Sequence, residues 1–231
     1  MKTKIFLLLA FLLLGSSAPP ILAQTTSQTT LFLTWKSNTY TPSRYEGKAL
    51  PTTGSRLSYS VAAFSGGKPL SLKDKSIRWH EQGQFKKAGV GMEFLETEVN
   101  VLSGNEFKMR VEIPDLPGGT FSKTITLRVV RPKVIIEAPF PNLRILPKDF
   151  SVKATPYFFS VFTENSLIYR WLVNTTALAG GTDPQIVKIS KSNMIQSANQ
   201  SFSFRVTAEN PNLYVDKGEG QKTINVQASS Q

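Results

Sequence analysis

Three short segments of this sequence recur in the same order further along the chain, and this repeat limits the folds open to it. The paired patterns are IRW with YRW, FKMRV with FSFRV, and KTI with KTI. They lie at 77–79 and 169–171, 107–111 and 202–206, and 123–125 and 222–224, at offsets of 92, 95 and 99 residues. Because a fixed period marks repeated structural units, the chain is predicted to contain two similar units of about 100 residues each.

Both units are predicted to consist of β-strands. Short runs of alternating apolar and polar residues, rich in β-branched and aromatic side chains, are separated by clusters of Gly, Pro, Asn and Ser. In 121–131, FSKTITLRVVR, Ile125 and Leu127 fall on one face while Thr124 and Thr126 fall on the other. Because no stretch keeps a 3.6-residue apolar period over three turns, an all-β fold of sandwiches or barrels is predicted.

The repeat and the turn signals place the units at 30–131 and 132–231. In the first unit, strands are predicted at 31–35, 56–64, 76–81, 92–101, 106–113 and 121–131. In the second, they are predicted at 134–138, 150–162, 167–173, 185–189, 201–209 and 221–227, with a turn-rich link over 210–220. The junction at 131–133 contains no flexible spacer, which favours a restricted angle between the units.

Two segments resemble strands of a known fold. LIYRWLVN at 167–174 resembles strand C, and FSFRVTAEN at 202–210 resembles strand F, of bacterial PKD-like and related immunoglobulin-like modules. The resemblance implies two tandem immunoglobulin-like β-sandwiches of a secreted bacterial protein, with a tryptophan of each unit in its core. The core residues expected on this basis are Trp79, Trp171, Phe107 and Phe202. The WDFGDG-type signature of PKD domains and a disulfide pair are both absent, so no functional residue is carried over.

The N-terminus has the features of a secretory signal peptide. Lys2 and Lys4 precede the ten-residue apolar run 5–14, which is shorter than the roughly 20 residues that span a bilayer. Cleavage is predicted between Ala23 and Gln24, followed by a polar linker at 24–29; an uncleaved anchor, with membrane contact through this segment, is the alternative. The protein is therefore expected to be exported to the periplasm, cell surface or medium. Export without cysteine favours a bacterial envelope protein.

The side-chain inventory argues against catalysis. The chain has no cysteine and one histidine, His80, which excludes thiolate chemistry and leaves little for a histidine-based triad or metal site. Glu93, Glu96 and Glu98 lie close together, but their spacing is typical of a solvated strand face. The five aspartates are scattered, unlike those of calcium-binding loops. We therefore expect no catalytic, metal or cofactor site and no enzyme activity.

The charge balance suggests a class of partner. The net charge is +11, with lysines and arginines recurring at 68, 73, 75, 78, 86 and 87. Such a charge attracts anionic wall polymers or acidic glycans, although it also serves solubility alone. Nucleic acid is not an expected partner of an exported protein.

Aromatic residues in one long connection form a candidate binding surface. Trp35, Tyr40 and Tyr45 lie in or beside the Pro- and Gly-containing segment 34–51. Aromatic loop residues form protein hot spots or sugar platforms, or they fold back over the end of the sandwich.

The leading functional hypothesis is a non-enzymatic, exported binding or spacer protein of the bacterial envelope, within a larger surface assembly. Its partners would be other envelope or surface proteins, or anionic polymers and glycans. Two alternatives are a periplasmic pilus-type chaperone that presents strand 121–129 to a subunit, and a carbohydrate-binding module protein.

Overall fold

The computed structural model describes residues 28–139, 144–145, 148–178, 183–193 and 199–227. Within these ranges the chain forms strands and two short 3-10 turns, Glu164–Ser166 and Lys191–Asn193, and no α-helix. No helical segment there is long and apolar enough to cross a bilayer. The predicted signal peptide and its cleavage site between Ala23 and Gln24 lie outside the described residues.

The first eight strands form two antiparallel sheets. They are β1 (Thr29–Ser37), β2 (Arg56–Ser65), β3 (Lys68–Leu70), β4 (Ser76–Glu81), β5 (Gln84–Val90), β6 (Phe94–Glu98), β7 (Glu106–Leu116) and β8 (Gly119–Arg128). In one sheet β2 pairs with β1 on one side and with β3 and β6 on the other; the second sheet has the order β5-β4-β7-β8. With β1, β2 and β6 as strands A, B and E, and with β5, β4, β7 and β8 as strands C′, C, F and G, this arrangement is that of an immunoglobulin-like sandwich.

The second sandwich repeats this plan. Its strands are β9 (Lys133–Glu137), β10 (Arg144–Ile145), β11 (Phe150–Tyr157), β12 (Ile168–Val173), β13 (Thr176–Leu178), β14 (Ile186–Ile189), β15 (Gln200–Glu209) and β16 (Lys217–Val226). One sheet has the order β14-β11-β9, and the other has the order β10-β16-β15-β12-β13, in which β10 runs parallel to β16. The chain is therefore all-β, with two tandem immunoglobulin-like sandwiches.

Each sandwich has its own apolar core around a tryptophan. Trp79 and Phe107 lie in the first core, and Trp171 and Phe202 lie in the second. Alternation explains the burial, because every second residue faces inward in β15 and in β7 from Phe107 to Ile113. Full burial of one such large apolar side chain contributes about 1.5–3 kcal/mol.

Two predicted boundaries in the second sandwich were wrong. The strand predicted over 150–162 ends at Tyr157, because Phe158 adopts a left-handed backbone conformation with φ of 64°. The link predicted over 210–220 is shorter, because β16 begins at Lys217. Gly218 and Gly220 are strand residues: a Cβ would lie 2.7 Å from the Pro132 oxygen at the first and 2.4 Å from the Val134 oxygen at the second. Glycine here permits close approach of β9 instead of forming a turn.

Candidate functional site

The long connection between β1 and β2 forms the most distinctive feature outside the two cores, and we call residues 38–55 the junction loop. Its ends are closed by the Asn38 amide, which donates to the Arg56 carbonyl at 3.1 Å, and by the Arg56 amide, which donates to Asn38 Oδ1 at 2.8 Å. Within it, Thr39 Oγ1 donates to the Leu50 carbonyl at 2.8 Å. These hydrogen bonds hold the two ends of the junction loop together.

The junction loop pairs with the second sandwich through its backbone. The Tyr40 amide donates to the Phe159 carbonyl at 2.6 Å, and the Phe158 amide donates to the Tyr40 carbonyl at 2.7 Å, which makes an antiparallel bridge. The left-handed conformation of Phe158 turns the chain out of β11 at this bridge. A strained backbone position persists only where its surroundings hold it, so the bridge and the turn support each other.

The Tyr40 side chain adds a polar anchor. Its hydroxyl donates to Glu164 Oε2 at 2.9 Å, and Lys153 Nζ lies 3.4 Å from Glu164 Oε1. Burial, together with the hydrogen bond to Glu164, raises the pKa of Tyr40 to about 12. The phenol therefore stays protonated and remains a hydrogen-bond donor at physiological pH.

Tyr45 and Arg44 extend the contact along β9 and β11. The Tyr45 ring meets the rings of Tyr157 and Phe158 edge to face, at centroid distances of 5.8 and 5.6 Å. Arg44 forms an ion pair with Glu137 of β9. Burial alone would raise the pKa of Glu137, but Arg44, with smaller contributions from Thr155 and Lys153, outweighs this effect and holds the pKa below its ordinary value.

A buried aspartate holds the receiving segment in place. Asp216 Oδ2 accepts hydrogen bonds from the Ser160 amide at 2.7 Å and from Asn210 Nδ2 at 2.9 Å, and the residue is 1% exposed. Burial raises the pKa of Asp216, and the two hydrogen bonds oppose this effect. Ser160 Oγ in turn lies 3.4 Å from Thr52 Oγ1 of the junction loop. Asp216 is thus a positioning residue for the contact between the sandwiches.

The three residues of the candidate binding surface occupy different places. Trp35 packs against the first core, with Lys48 Nζ 4.1 Å above its ring centroid. Tyr40 and Tyr45 lie against the second sandwich, as the preceding contacts show. The three side chains are all half-buried and do not share one open surface. A role of their exposed parts in binding a partner stays a prediction.

The other chemically interesting residues are not gathered into a site. His80 lies on the outer side of β4, half-buried beside the Phe85 ring at a centroid distance of 6.0 Å. Glu96 and Glu98 are exposed on β6, and Glu93 precedes that strand. Across the ranges that the structure describes, no group of three His, Cys, Asp or Glu residues could hold a metal ion.

Sequence reasoning missed the receiving half of the junction. Phe158 and Glu164 carry no periodic or motif signal, because their importance arises from contacts with a loop over 100 residues earlier in the chain. Asp216 carries none either, because it acts on that contact only through its hydrogen bond to Ser160. The sequence offered only an indirect signal. The connection 38–55 has 18 residues, which is long for a sandwich, and loops of this length often make contacts with other parts of a protein.

Comparisons with known proteins give only distant likenesses. No family model and no curated protein matches the chain. Among solved structures, the chain is similar to the three N-terminal domains of the Highly Immunogenic Outer Capsid protein (Hoc) of bacteriophage RB49, with a TM-score of 0.44 and 14% identity over 86% of this chain. The chain spans 59% of the length of that structure.

Two further solved structures show weaker similarity. The fibronectin(III)-like modules of Clostridium thermocellum CbhA match with a TM-score of 0.28 and 10% identity, over 86% of this chain and 94% of that one. A 1.5-MDa bacterial ice-binding adhesin matches with a TM-score of 0.32 and 11% identity, over 89% of this chain and 67% of that one. At these TM-scores we draw no functional conclusion from the likenesses.

Proposed function

We propose that this protein is a non-enzymatic, exported binding or spacer protein of the bacterial cell envelope, whose two sandwiches are held at a fixed angle. The observation that carries this proposal is the backbone bridge between Tyr40 and Phe159. A tandem pair joined only by a short linker can rotate, whereas a pair that also shares a hydrogen-bonded bridge has fewer orientations. A fixed orientation suits a protein that presents a surface at a set distance within an assembly.

The signal-like N-terminus supports export, and the composition supports a role without chemistry. The partners proposed are other envelope or surface proteins, or anionic polymers and glycans attracted by the net charge of +11. At least eight lysines and arginines are engaged in ion pairs within the described part of the chain, among them Arg44, Lys86 and Lys217. The net charge of +11 already includes these acidic partners, so the ion pairs leave both kinds of partner open.

Export is tested by expressing the full sequence in a bacterial host and fractionating the cells. We expect a mature chain that begins at Gln24 in the envelope or medium, identified by N-terminal sequencing and intact mass. An Ala23→Arg variant should accumulate unprocessed, since a small residue is needed next to the cut. Recovery of the full-length wild-type chain in the cytosol would contradict the proposal.

The choice between partners is tested on an immobilised anionic polysaccharide. A polymer ligand predicts retention at low salt that falls steeply as salt rises, because exposed charges are screened over about 10 Å at 0.1 M salt. A protein partner predicts weak retention here and recovery of a specific protein after cross-linking on intact cells. Loss of both signals would contradict a binding role and leave spacing alone.

The pilus-type chaperone is a second candidate, favoured by the position of β8. This strand ends the sheet order β5-β4-β7-β8, and its inward residues Ile125 and Leu127 alternate with exposed ones. A terminal alternating strand can add to a partner's sheet. Co-purification with a subunit that lacks its last strand would support this candidate, and its failure with such subunits would oppose it.

A further inference from the structure

One outer sheet face of the first sandwich exposes aromatic side chains. The outward residues of β1, β2 and β6 form this face, which we call the aromatic face. Phe32 of β1 is 53% exposed and Phe94 of β6 is 72% exposed, and Phe64 of β2 meets Phe32 edge to face at 5.2 Å. Clusters of large exposed apolar side chains on a sheet mark interaction sites in soluble proteins.

The charges of the aromatic face are balanced and ordered. Lys36, Ser58 and Glu96 stand in one row across β1, β2 and β6, and Arg56 stands beside Glu98 in the next row. The outward residues of these three strands thus contribute two positive and two negative charges, whereas the chain carries a net charge of +11. A locally neutral face lets two copies of a basic protein approach each other with little repulsion.

We infer that the aromatic face binds a second copy of this chain, through a two-fold axis that runs along β2. Rotation about this axis lays β1 of each copy over β6 of the other. Lys36 of one copy then faces Glu96 of the second, and the symmetry repeats this pair, as an isologous interface requires. In the same arrangement Phe32 of each copy lies over β6 of the other, offset from Phe94 by one rung, or about 7 Å along the strands, and side chains of facing sheets interdigitate over such offsets.

The alternative two-fold axis, perpendicular to the strands, does not give complementary contacts. It would lay β1 over β1 and place the Lys36 ammonium against an aromatic row, with both Glu96 carboxylates left against neutral residues. Aligned packing of two sheets, with strands about 30° apart, is also the commoner arrangement. The register of the charged row therefore favours the axis along β2. In that arrangement the two Arg56 side chains meet at the axis, with the Glu98 carboxylates of both copies beside them.

The size of the aromatic face sets the strength of the contact. Five outward positions along three strands cover about 400 Å² per copy, which is about half of what each partner buries in a standard specific interface. We therefore expect a weak dimer, with a Kd above about 10 µM. Such a contact becomes significant where copies are concentrated, as on a surface, and it goes beyond the proposed binding or spacer function.

Sedimentation velocity of the purified protein from about 10 µM to about 1 mM tests this inference. We expect the sedimentation coefficient to rise with concentration for the wild type. Phe94→Ser should weaken association about tenfold, since it removes an apolar contact on each side of the axis. Phe85→Ser is the matched control, because Phe85 is 64% exposed on the opposite sheet of the same sandwich, and it should leave association unchanged.

A charge-reversal series tests the axis itself. Lys36→Glu alone and Glu96→Lys alone should each weaken association about tenfold, because each creates two like-charge pairs. The double variant should restore association, since the pairs reform with their signs exchanged. A wild type that stays monomeric throughout the concentration range would overturn the inference, and so would a double variant no better than either single one. Far-UV circular dichroism of each variant excludes misfolding as the cause of a loss.

Discussion

The core tryptophan makes the same hydrogen bond in both sandwiches, but the buried residue two positions after it differs. In both, the core tryptophan donates its indole N–H to a carbonyl 13 residues further on, from Trp79 to Met92 and from Trp171 to Pro184, each at 3.0 Å. Two positions after the tryptophan, the first sandwich buries Glu81 whereas the second buries Val173. The repeated frame therefore accepts either a carboxylate or an apolar side chain at the same inward position.

The carboxylate is accepted because its neighbours satisfy it. Thr97 Oγ1 donates to Glu81 Oε2 at 2.6 Å, Asn100 Nδ2 donates to Oε1 at 3.3 Å, and Lys86 Nζ lies 3.1 Å from Oε2. A buried charge costs free energy unless hydrogen bonds and an opposite charge offset the loss of water. The comparison teaches that the repeat keeps the core tryptophan and its hydrogen bond. Whether a core also contains a buried polar side chain depends on the neighbours that can hydrogen-bond to it.

The largest expected effect comes from removing the shared anchor. Trp79→Ala and Trp171→Ala should each lower the free energy of unfolding of their own sandwich by about 3–5 kcal/mol, because each leaves a cavity in a closed core. Chemical denaturation followed by circular dichroism measures this. Trp35→Ala, at a half-buried position, should lower the free energy of unfolding clearly less. Equal losses of stability at all three positions would show that the core tryptophans have no special role in holding the sandwiches together.

A smaller effect is expected at the position where the sandwiches differ. Glu81→Val copies the second sandwich into the first and should cost about 1–3 kcal/mol, since it leaves the buried Thr97 hydroxyl without its acceptor. Adding Thr97→Val should recover most of this loss. Glu106→Gln, on the exposed surface of β7, serves as the control. If the single Glu81→Val variant were as stable as the wild type, the network would have no stabilising role.

The smallest expected effect is on the pH dependence of stability, through the Arg44–Glu137 pair between the junction loop and the second sandwich. The pKa of Glu137 is held below its ordinary value of 4.5, so the Arg44–Glu137 pair contributes at pH values above 4.5 and is lost as pH falls through the lowered pKa. Asp216 behaves in the opposite way: its pKa is raised above 3.8, so its contribution is complete below pH 3.8 and is lost as pH rises through the raised pKa. Glu137→Gln should remove part of the acid-induced loss of stability below pH 4.5.

This pH effect is measured as the denaturation midpoint at a series of pH values from about 3 to about 7. Because the Arg44 side chain is largely exposed and Glu137 is only partly buried, the difference between wild type and variant should be small and should shrink further in high salt. An identical pH profile for both proteins at low salt would show that the pair does not hold the junction.

The sequence predicted strands well where alternation is strict. The inward residues of β15, and those of β7 from Phe107 to Ile113, alternate without interruption, and the positions of both strands were predicted within a few residues. β5 was missed because Gln84–Val90 is exposed on both faces and has no alternation to detect. The start of β16 was missed because Gly218 and Gly220 have the composition of a turn, whereas close approach of β9 is what requires them.

The contact between the junction loop and the second sandwich could not have been predicted from the sequence. A loop aromatic such as Tyr40 is equally compatible with a partner surface, the end of its own sandwich or a neighbouring sandwich. The choice depends on the left-handed turn at Phe158 and on the buried Asp216, and both act through contacts remote in sequence. The repeat predicts two units, but the angle between them depends on parts of the chain that are not repeated.

The most direct test of a fixed angle is a distance measurement between the sandwiches. The chain has no cysteine, so Thr126→Cys on β8 and Thr223→Cys on β16, both at exposed positions, allow selective spin labelling. Pulsed electron paramagnetic resonance should give one narrow distance distribution, and Tyr40→Ala with Tyr45→Ala should broaden it while each sandwich stays folded. A distribution that is already broad in the otherwise unaltered protein, or one unchanged by the two substitutions, would contradict the account.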